Sequence, residues 1–163
     1  MGLTFAQAAW LLPVALPISL WVAWSDMRRM RIPNTAVYAL AAGFAVLGLM
    51  AMPFSDWLWR WSHLAVVLVI GFAMNMARLM GAGDAKFAAA AAPYVALQDL
   101  VLMLYLLAAC FLAAYVLHRI AKYSPIRRLT PDWHSWQSGK RFPMGVALGG
   151  ALVTYLTLGL FGG

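Results

Sequence analysis

Six apolar runs joined by short links constrain this sequence more than any other feature. They read roughly as Thr4–Trp24, Ala36–Met52, Ser62–Met80, Ala85–Leu97, Leu100–Leu117 and Phe142–Leu160. Crossing the ~30 Å hydrocarbon core of a bilayer takes about 20 apolar residues in a helix. The runs therefore predict an all-α membrane protein, a bundle of about six transmembrane helices. They form a single integral-membrane domain over residues 1–163. The fourth run is short; begun at Gly81 it is just long enough to span with little tilt, and its Ala88–Ala92 stretch permits close helix packing. Composition agrees, with 64% hydrophobic and only 10% charged residues, where a soluble domain carries about a quarter charged. No length is left for a separate soluble domain.

The first run differs from a secretory signal peptide. It has no basic start, its apolar stretch is too long, and its positive charges follow rather than precede it. It reads as a retained helix with its N-terminus outside. The loop charges carry this topology through the chain. Arg28, Arg29 and Arg31 lie between the first two runs, Arg78 and Lys86 at the third junction, and Arg119, Lys122, Arg127, Arg128, Lys140 and Arg141 at the fifth. The other two loops hold Asp56, Asp99 and a single basic residue, Arg60. Positive residues are retained on the cytoplasmic side, so the first set of loops is expected there and both termini on the periplasmic side. Trp57, Trp59 and Trp61 then fall at the outer edge, where an aromatic belt is expected.

The net charge of +7 is explained by this loop asymmetry together with attraction to anionic membrane lipid. Nucleic acid is not an expected partner, because no basic stripe interleaved with aromatics lies on a solvated surface. The lone Cys110 excludes a disulfide framework or a CxxC metal site and reads as a small buried hydrophobe.

All five acidic residues are aspartates. Asp56 and Asp99 in outer loops, and Asp132 in the long basic loop, read as solvated. Asp26, after the first run, and Asp84, opening the fourth, both fall at the cytoplasmic boundary although 58 positions separate them. A bland reading pairs Asp26 with Arg28 or Arg29, and Asp84 with Lys86, as interfacial charges. The flanking residues argue for more. Asp84 sits in Gly81-Ala82-Gly83-Asp84-Ala85-Lys86, where glycines permit a close approach of another segment and a helix start favours negative charge. Asp26 is followed by Arg31-Ile32-Pro33-Asn34, whose proline stiffens the turn into the second helix.

These strings, in this order, resemble the type IV prepilin peptidases, the GxGD class of membrane aspartyl proteases. The resemblance is completed by Arg141-Phe142-Pro143-Met144-Gly145 entering the last run; the family commonly has a Pro-Tyr-Gly-like string there, so Met144 departs from it, as Phe87 does where leucine is frequent. Longer members carry an N-terminal cytoplasmic segment with paired CxxC motifs and a second, N-methylating activity. This sequence has neither, and is similar to the short, peptidase-only form that serves Flp-type (tight adherence) pili. The resemblance implies a multi-pass protein of the bacterial inner membrane that removes the basic leader of a prepilin at the cytoplasmic face, typically after a glycine. It implies Asp26 and Asp84 as catalytic residues, and Gly81, Gly83, Lys86, Pro33 and Asn34 as motif or supporting residues.

The chemistry has its own logic. Two neighbouring carboxylates resist joint ionisation and share a proton, so one can activate a water while the other protonates the scissile carbonyl. Such a pair titrates as a unit. No metal and no cofactor is expected, since His63, His118 and His134 lack ligand spacing, and His134 reads as a solvated loop residue. Lys86 is read equally as a tuning charge beside Asp84 or as a lysine snorkelling at the surface. The basic loop is not expected to bind a basic leader, because like charges repel; anionic lipid suits it better. Two other readings are a small proton-coupled transporter, which internal repeats or interrupted midplane helices would support, and a non-catalytic scaffold of a secretion machine.

Overall fold

The computed structural model describes residues 1–139 and 141–162; Lys140 of the basic loop, and Gly163, lie outside the described residues. Six helices carry the fold: α1 (Phe5–Arg29), α2 (Asn34–Ala51), α3 (Phe54–Met76), α4 (Ala82–Ala91), α5 (Leu100–Tyr123) and α6 (Met144–Phe161). Five of them are long and apolar enough to cross a membrane. The exception is α4, a helix shorter than the full span expected of the fourth run, although the chain that follows it continues to Asp99 at the opposite end of the bundle. Its ten residues rise only ~15 Å. Pro93, inside the tight turn Ala92–Tyr94 that follows, lacks an N–H and clashes with a carbonyl one turn back. The apolar run continues past that proline, but the helix does not.

At the centre, α1 and α6 pack antiparallel. Gly145 faces Asp26 and Val22, Gly149 faces Ser19, and Gly159 faces Leu3 and Ala8. Small residues let the two backbones approach closely, as membrane helices require when no hydrophobic force distinguishes lipid from protein. Helix α2 packs against α1 and α4, α3 against α4, and α5 against α6. Consequently α3 and α5 form the rim, with exposed apolar side chains such as Val69, Phe72, Leu104 and Leu112 facing where lipid would be.

The end of the bundle away from Asp26 is held by buried polar groups. Asp99 is buried, a correction to its reading as a solvated loop residue. Its Oδ1 accepts the Gly2 N–H at 2.8 Å, and its Oδ2 accepts the Leu3 N–H at 3.0 Å and the Tyr155 hydroxyl at 2.8 Å. Arg60 is likewise buried inside α3 rather than lying in a loop, and donates to Gln7 Oε1 at 3.2 Å and to the Pro93 and Tyr94 carbonyls at 3.5 Å. These carbonyls are the ones left open where α4 breaks, so the guanidinium satisfies groups that would otherwise be stranded in an apolar setting. Asp56 and Asp132 are exposed, as expected.

Helix α2 contains a π-helical turn over Phe44–Gly48. Two carbonyls at this turn accept side chains from other elements: that of Leu40 accepts the Tyr94 hydroxyl at 2.8 Å, and that of Phe44 accepts Trp57 Nε1 at 3.3 Å. Trp57 and Trp61 thus pack inward, and Trp61 meets Phe44 edge-on. Of the three tryptophans expected in a surface belt, only Trp59 is largely exposed, at 63%.

Candidate active site

Asp26 lies in the last turn of α1, which runs one turn past the end of its apolar stretch. The helix stops at Met30, whose left-handed conformation (φ 53°) lets its N–H bond the Asp26 carbonyl at 2.8 Å. Ser25 Oγ then donates to the Arg31 carbonyl at 2.9 Å, folding the chain back so that Pro33 caps α2 and Asn34 begins it. The Asp26 side chain is 5% exposed. Its Oδ2 accepts the Gly145 N–H at 2.7 Å. Gly145 occupies the first turn of α6, where amide hydrogens have no partner within the helix. The start of α6 therefore fixes one carboxylate oxygen of Asp26. A Cβ on residue 145 would stand 3.0 Å from that oxygen, so the position suits glycine.

Asp84 arrives from the other side. Asn75 Nδ2 donates to the Met80 carbonyl at 2.9 Å, closing the turn after α3 and presenting Gly81 as the residue that caps α4. Asp84, three residues later, bends its carboxylate back over Gly81, close to the backbone amides of Gly81 and of Asp84 itself. The cap residue is Gly81, and Asp84 stands in the first turn of the helix, where negative charge is favoured. A Cβ on residue 81 would lie 2.5 Å from Asp84 Oδ2. Gly83 meets the backbone of Ile32, where a Cβ would come within 3.3 Å of the Ile32 Cβ. The two glycines thus do different work, one leaving room for a carboxylate and the other for the turn that follows Asp26.

Together these turns enclose a cavity of about 610 Å³ lined by Asp26, Asp84, Gly81, Gly83, Lys86, Pro33 and Asn34, with Ser25, Arg29 and Arg31 among its other walls. Each residue that the resemblance implies as catalytic or supporting lines this cavity. Lys86 Nζ donates to Asn34 Oδ1 at 3.4 Å, a link from α4 to α2 across the cavity. Arg28, by contrast, lies over the Trp24 ring at 5.2 Å. Burial pushes the Asp84 carboxyl up to about 6, and the nearby Asp26 charge adds to the rise while the two backbone amides oppose it. An acid in that state holds its proton close to neutrality and can donate it.

Ser25, Asn75 and Gly145 were not legible as site residues. Gly145 carried a signal only as part of the Phe142-Pro143-Met144-Gly145 string; a serine or asparagine that braces a turn looks like any other. His134 is exposed and outside the cavity. Among the described residues no group of three His, Cys, Asp or Glu side chains is placed to hold a metal ion.

Residues 13–117 match the type IV leader peptidase family. The chain belongs to that family. The matched stretch includes both aspartates and ends before the basic loop and α6. Type IV leader peptidases are aspartic-type enzymes of the inner membrane, and this chain is one by membership. No curated protein and no solved structure matches it.

Proposed function

We propose that Asp26 and Asp84 are the catalytic pair of this leader peptidase, and that the cavity between them receives the scissile peptide of a Flp-like type IV prepilin at the cytoplasmic face. The observation that carries the reading is the convergence of two carboxylates, 58 positions apart in the chain, on one cavity, with Asp26 oriented by the start of α6. Cytoplasmic placement of that cavity, with both termini periplasmic, rests on the loop charges.

With one proton shared by the pair, the ionised carboxylate removes a proton from a water as its oxygen adds to the scissile carbonyl carbon. The protonated carboxyl gives its proton to the carbonyl oxygen, and a neutral tetrahedral diol forms. Collapse breaks the C–N bond: the carboxyl that took the water proton passes it to the departing amine, and the other recovers its proton from the diol. Lys86, Asn34, Pro33, Gly81 and Gly83 act as positioning residues that hold the two turns at the spacing this transfer requires. A proton relay is less well served by this arrangement, since both acids sit at one end of the bundle and the buried polar groups at the other end are held in hydrogen bonds.

Co-expression with a candidate prepilin, followed by gel shift of the leader, tests the pair. Asp26→Asn and Asp84→Asn are each expected to lower cleavage by about 10²–10⁴-fold, the usual contribution of one acid–base group, while the protein still accumulates in the membrane. Normal processing by either variant overturns the dyad.

A further inference from the structure

The basic loop between α5 and α6 is a folded element rather than a tether. Trp136 is buried and stacks on His118 of α5, ring centroids 5.2 Å apart, and on Trp133 at 6.0 Å. Trp136 Nε1 donates to the Thr130 carbonyl at 2.8 Å. Arg119 and Lys122, one turn apart at the end of α5, both donate to the Gly139 carbonyl at 3.1 Å. The loop's second short turn, His134–Trp136, packs against α1. Beside this braced loop lies a second cavity, of about 410 Å³, lined by Lys122, Tyr123, Ser124, Arg127, Arg128 and Pro131.

Among the described residues, three cations line that cavity and no carboxylate does. The turn Pro125–Leu129 sets Arg127 and Arg128 side by side, and Asp132, the acid nearest in sequence, is exposed and outside the lining. Like charges gathered this way repel unless an anion is shared between them. Guanidinium and ammonium groups on one wall supply the donors that phosphate oxygens require.

The neighbourhood selects the source of the phosphate. The cavity lies at the end of α5, a long apolar helix whose most apolar 18 residues are only 11% buried. Tyr123 in the lining and Leu129 beside it are each 80% exposed. An apolar helix face leading into a cationic cavity rimmed by exposed apolar groups matches a lipid, with acyl chains along α5 and headgroup phosphate among the cations. An acidic peptide would leave Tyr123, Leu129 and the α5 face unused.

We infer that Lys122, Arg127 and Arg128 form a binding site for the headgroup phosphate of an anionic phospholipid, separate from the peptidase cavity. The inference rests on membrane embedding and not on the assignment of the catalytic pair.

Native mass spectrometry of the detergent-solubilised full chain, titrated with phosphatidylglycerol and separately with phosphatidylcholine, tests it. Each basic residue at an anionic lipid surface contributes roughly fivefold in affinity, so Arg127→Gln/Arg128→Gln is expected to weaken the first phosphatidylglycerol bound by about 25-fold. Arg28→Gln/Arg78→Gln, which removes the same charge outside the cavity, is expected to leave it unchanged, and Arg127→Lys/Arg128→Lys to restore most of it. Equal losses in the two Gln pairs mean diffuse attraction and overturn the site, as does no loss in either. Displacement of the lipid by inorganic phosphate, with equal affinity for phosphate alone, overturns the lipid assignment in favour of a soluble anion. Binding of polyglutamate in place of phosphatidylglycerol overturns it in favour of an acidic protein. Helical circular dichroism of each variant separates these outcomes from misfolding.

Discussion

At Asp84 the electrostatics make a statement that kinetics can read. Its carboxyl is pushed up to about 6, first by burial and then by the charge of Asp26. A raised carboxyl keeps its proton as pH increases, so the singly protonated pair is expected to be lost as pH rises through about 6. The alkaline limb of kcat/KM, which reports the free enzyme, should have its midpoint there. Substrate covering the cavity excludes more water, which raises a carboxyl further, so the limb of kcat is expected at higher pH than that of kcat/KM. Coincident limbs, or an alkaline limb near pH 4, contradict this account. Asp26→Asn removes the neighbouring charge but not the burial. Asp84 should then titrate lower than in the parent and still above 3.8, measured by the pH dependence of its carboxyl stretch in the infrared. Gly145 invites a complementary experiment. In Gly145→Ala the new methyl stands 3.0 Å from Asp26 Oδ2 and from Val22 Cγ1, so either the carboxylate or α6 must shift. A misplacement of about 1 Å in a reacting group costs about 10²-fold in rate. The expectation is a fall of that order in kcat, with KM and the melting temperature much less affected.

At the scale of elements, what was legible and what was not follows from the range of the forces involved. The aspartates, the glycines around Asp84 and the Ile32-Pro33-Asn34 turn could be read because each has a local meaning: a charge at the end of an apolar run, a cap, a break in periodicity. The structure brings all of them to one cavity. The length of α4 was misread because hydropathy averages over Pro93, whereas a helix is stopped by a single missing N–H. Asp99 and Arg60 were misread for the opposite reason. Their partners, Gly2, Leu3 and Tyr155 for one and Gln7, Pro93 and Tyr94 for the other, lie far away in sequence, and an isolated charge near a run end looks solvated. The carbonyls at the π-helical turn of α2 are bonded by side chains from two other elements, Tyr94 and Trp57, and no local signal announces it. Tyr94→Phe tests the contribution of one such bond. It leaves the ring packing against Phe44 but removes one hydrogen bond from a buried carbonyl, which is expected to cost about 1–2 kcal/mol in reversible unfolding in mixed micelles.

Across the whole molecule, chemistry and anchorage occupy opposite ends of the α1–α6 pair. Asp26 meets Gly145 at the start of α6. Asp99 meets Tyr155 ten residues further on, about 15 Å along the helix. At the far end, a single carboxylate gathers the chain's first amides, the hydroxyl of α6 and the segment that follows the broken α4. It stands in for the turns of helix that α4 lacks. Asp99→Ala would strand the Gly2 and Leu3 N–H groups and the Tyr155 hydroxyl together. With each unsatisfied buried donor costing about 1–3 kcal/mol, the loss is expected to be about 3 kcal/mol or more. Tyr155→Phe leaves two of the three bonds to Asp99 but also strands the Ala96 N–H, which donates to the Tyr155 hydroxyl at 3.1 Å, so a loss of about 2 kcal/mol is expected. The separation of the two ends then makes a prediction of its own. The folded fraction of Asp99→Ala should cleave prepilin at close to the parental kcat, although less protein survives heating, whereas Gly145→Ala should show the reverse. Melting curves in detergent and single-turnover cleavage on the same preparations check both halves. If Asp99→Ala instead lowered kcat as far as Gly145→Ala does, the far end of α6 would be coupled to the position of Asp26, and the bundle would have to be treated as one rigid lever rather than as an anchor and a site.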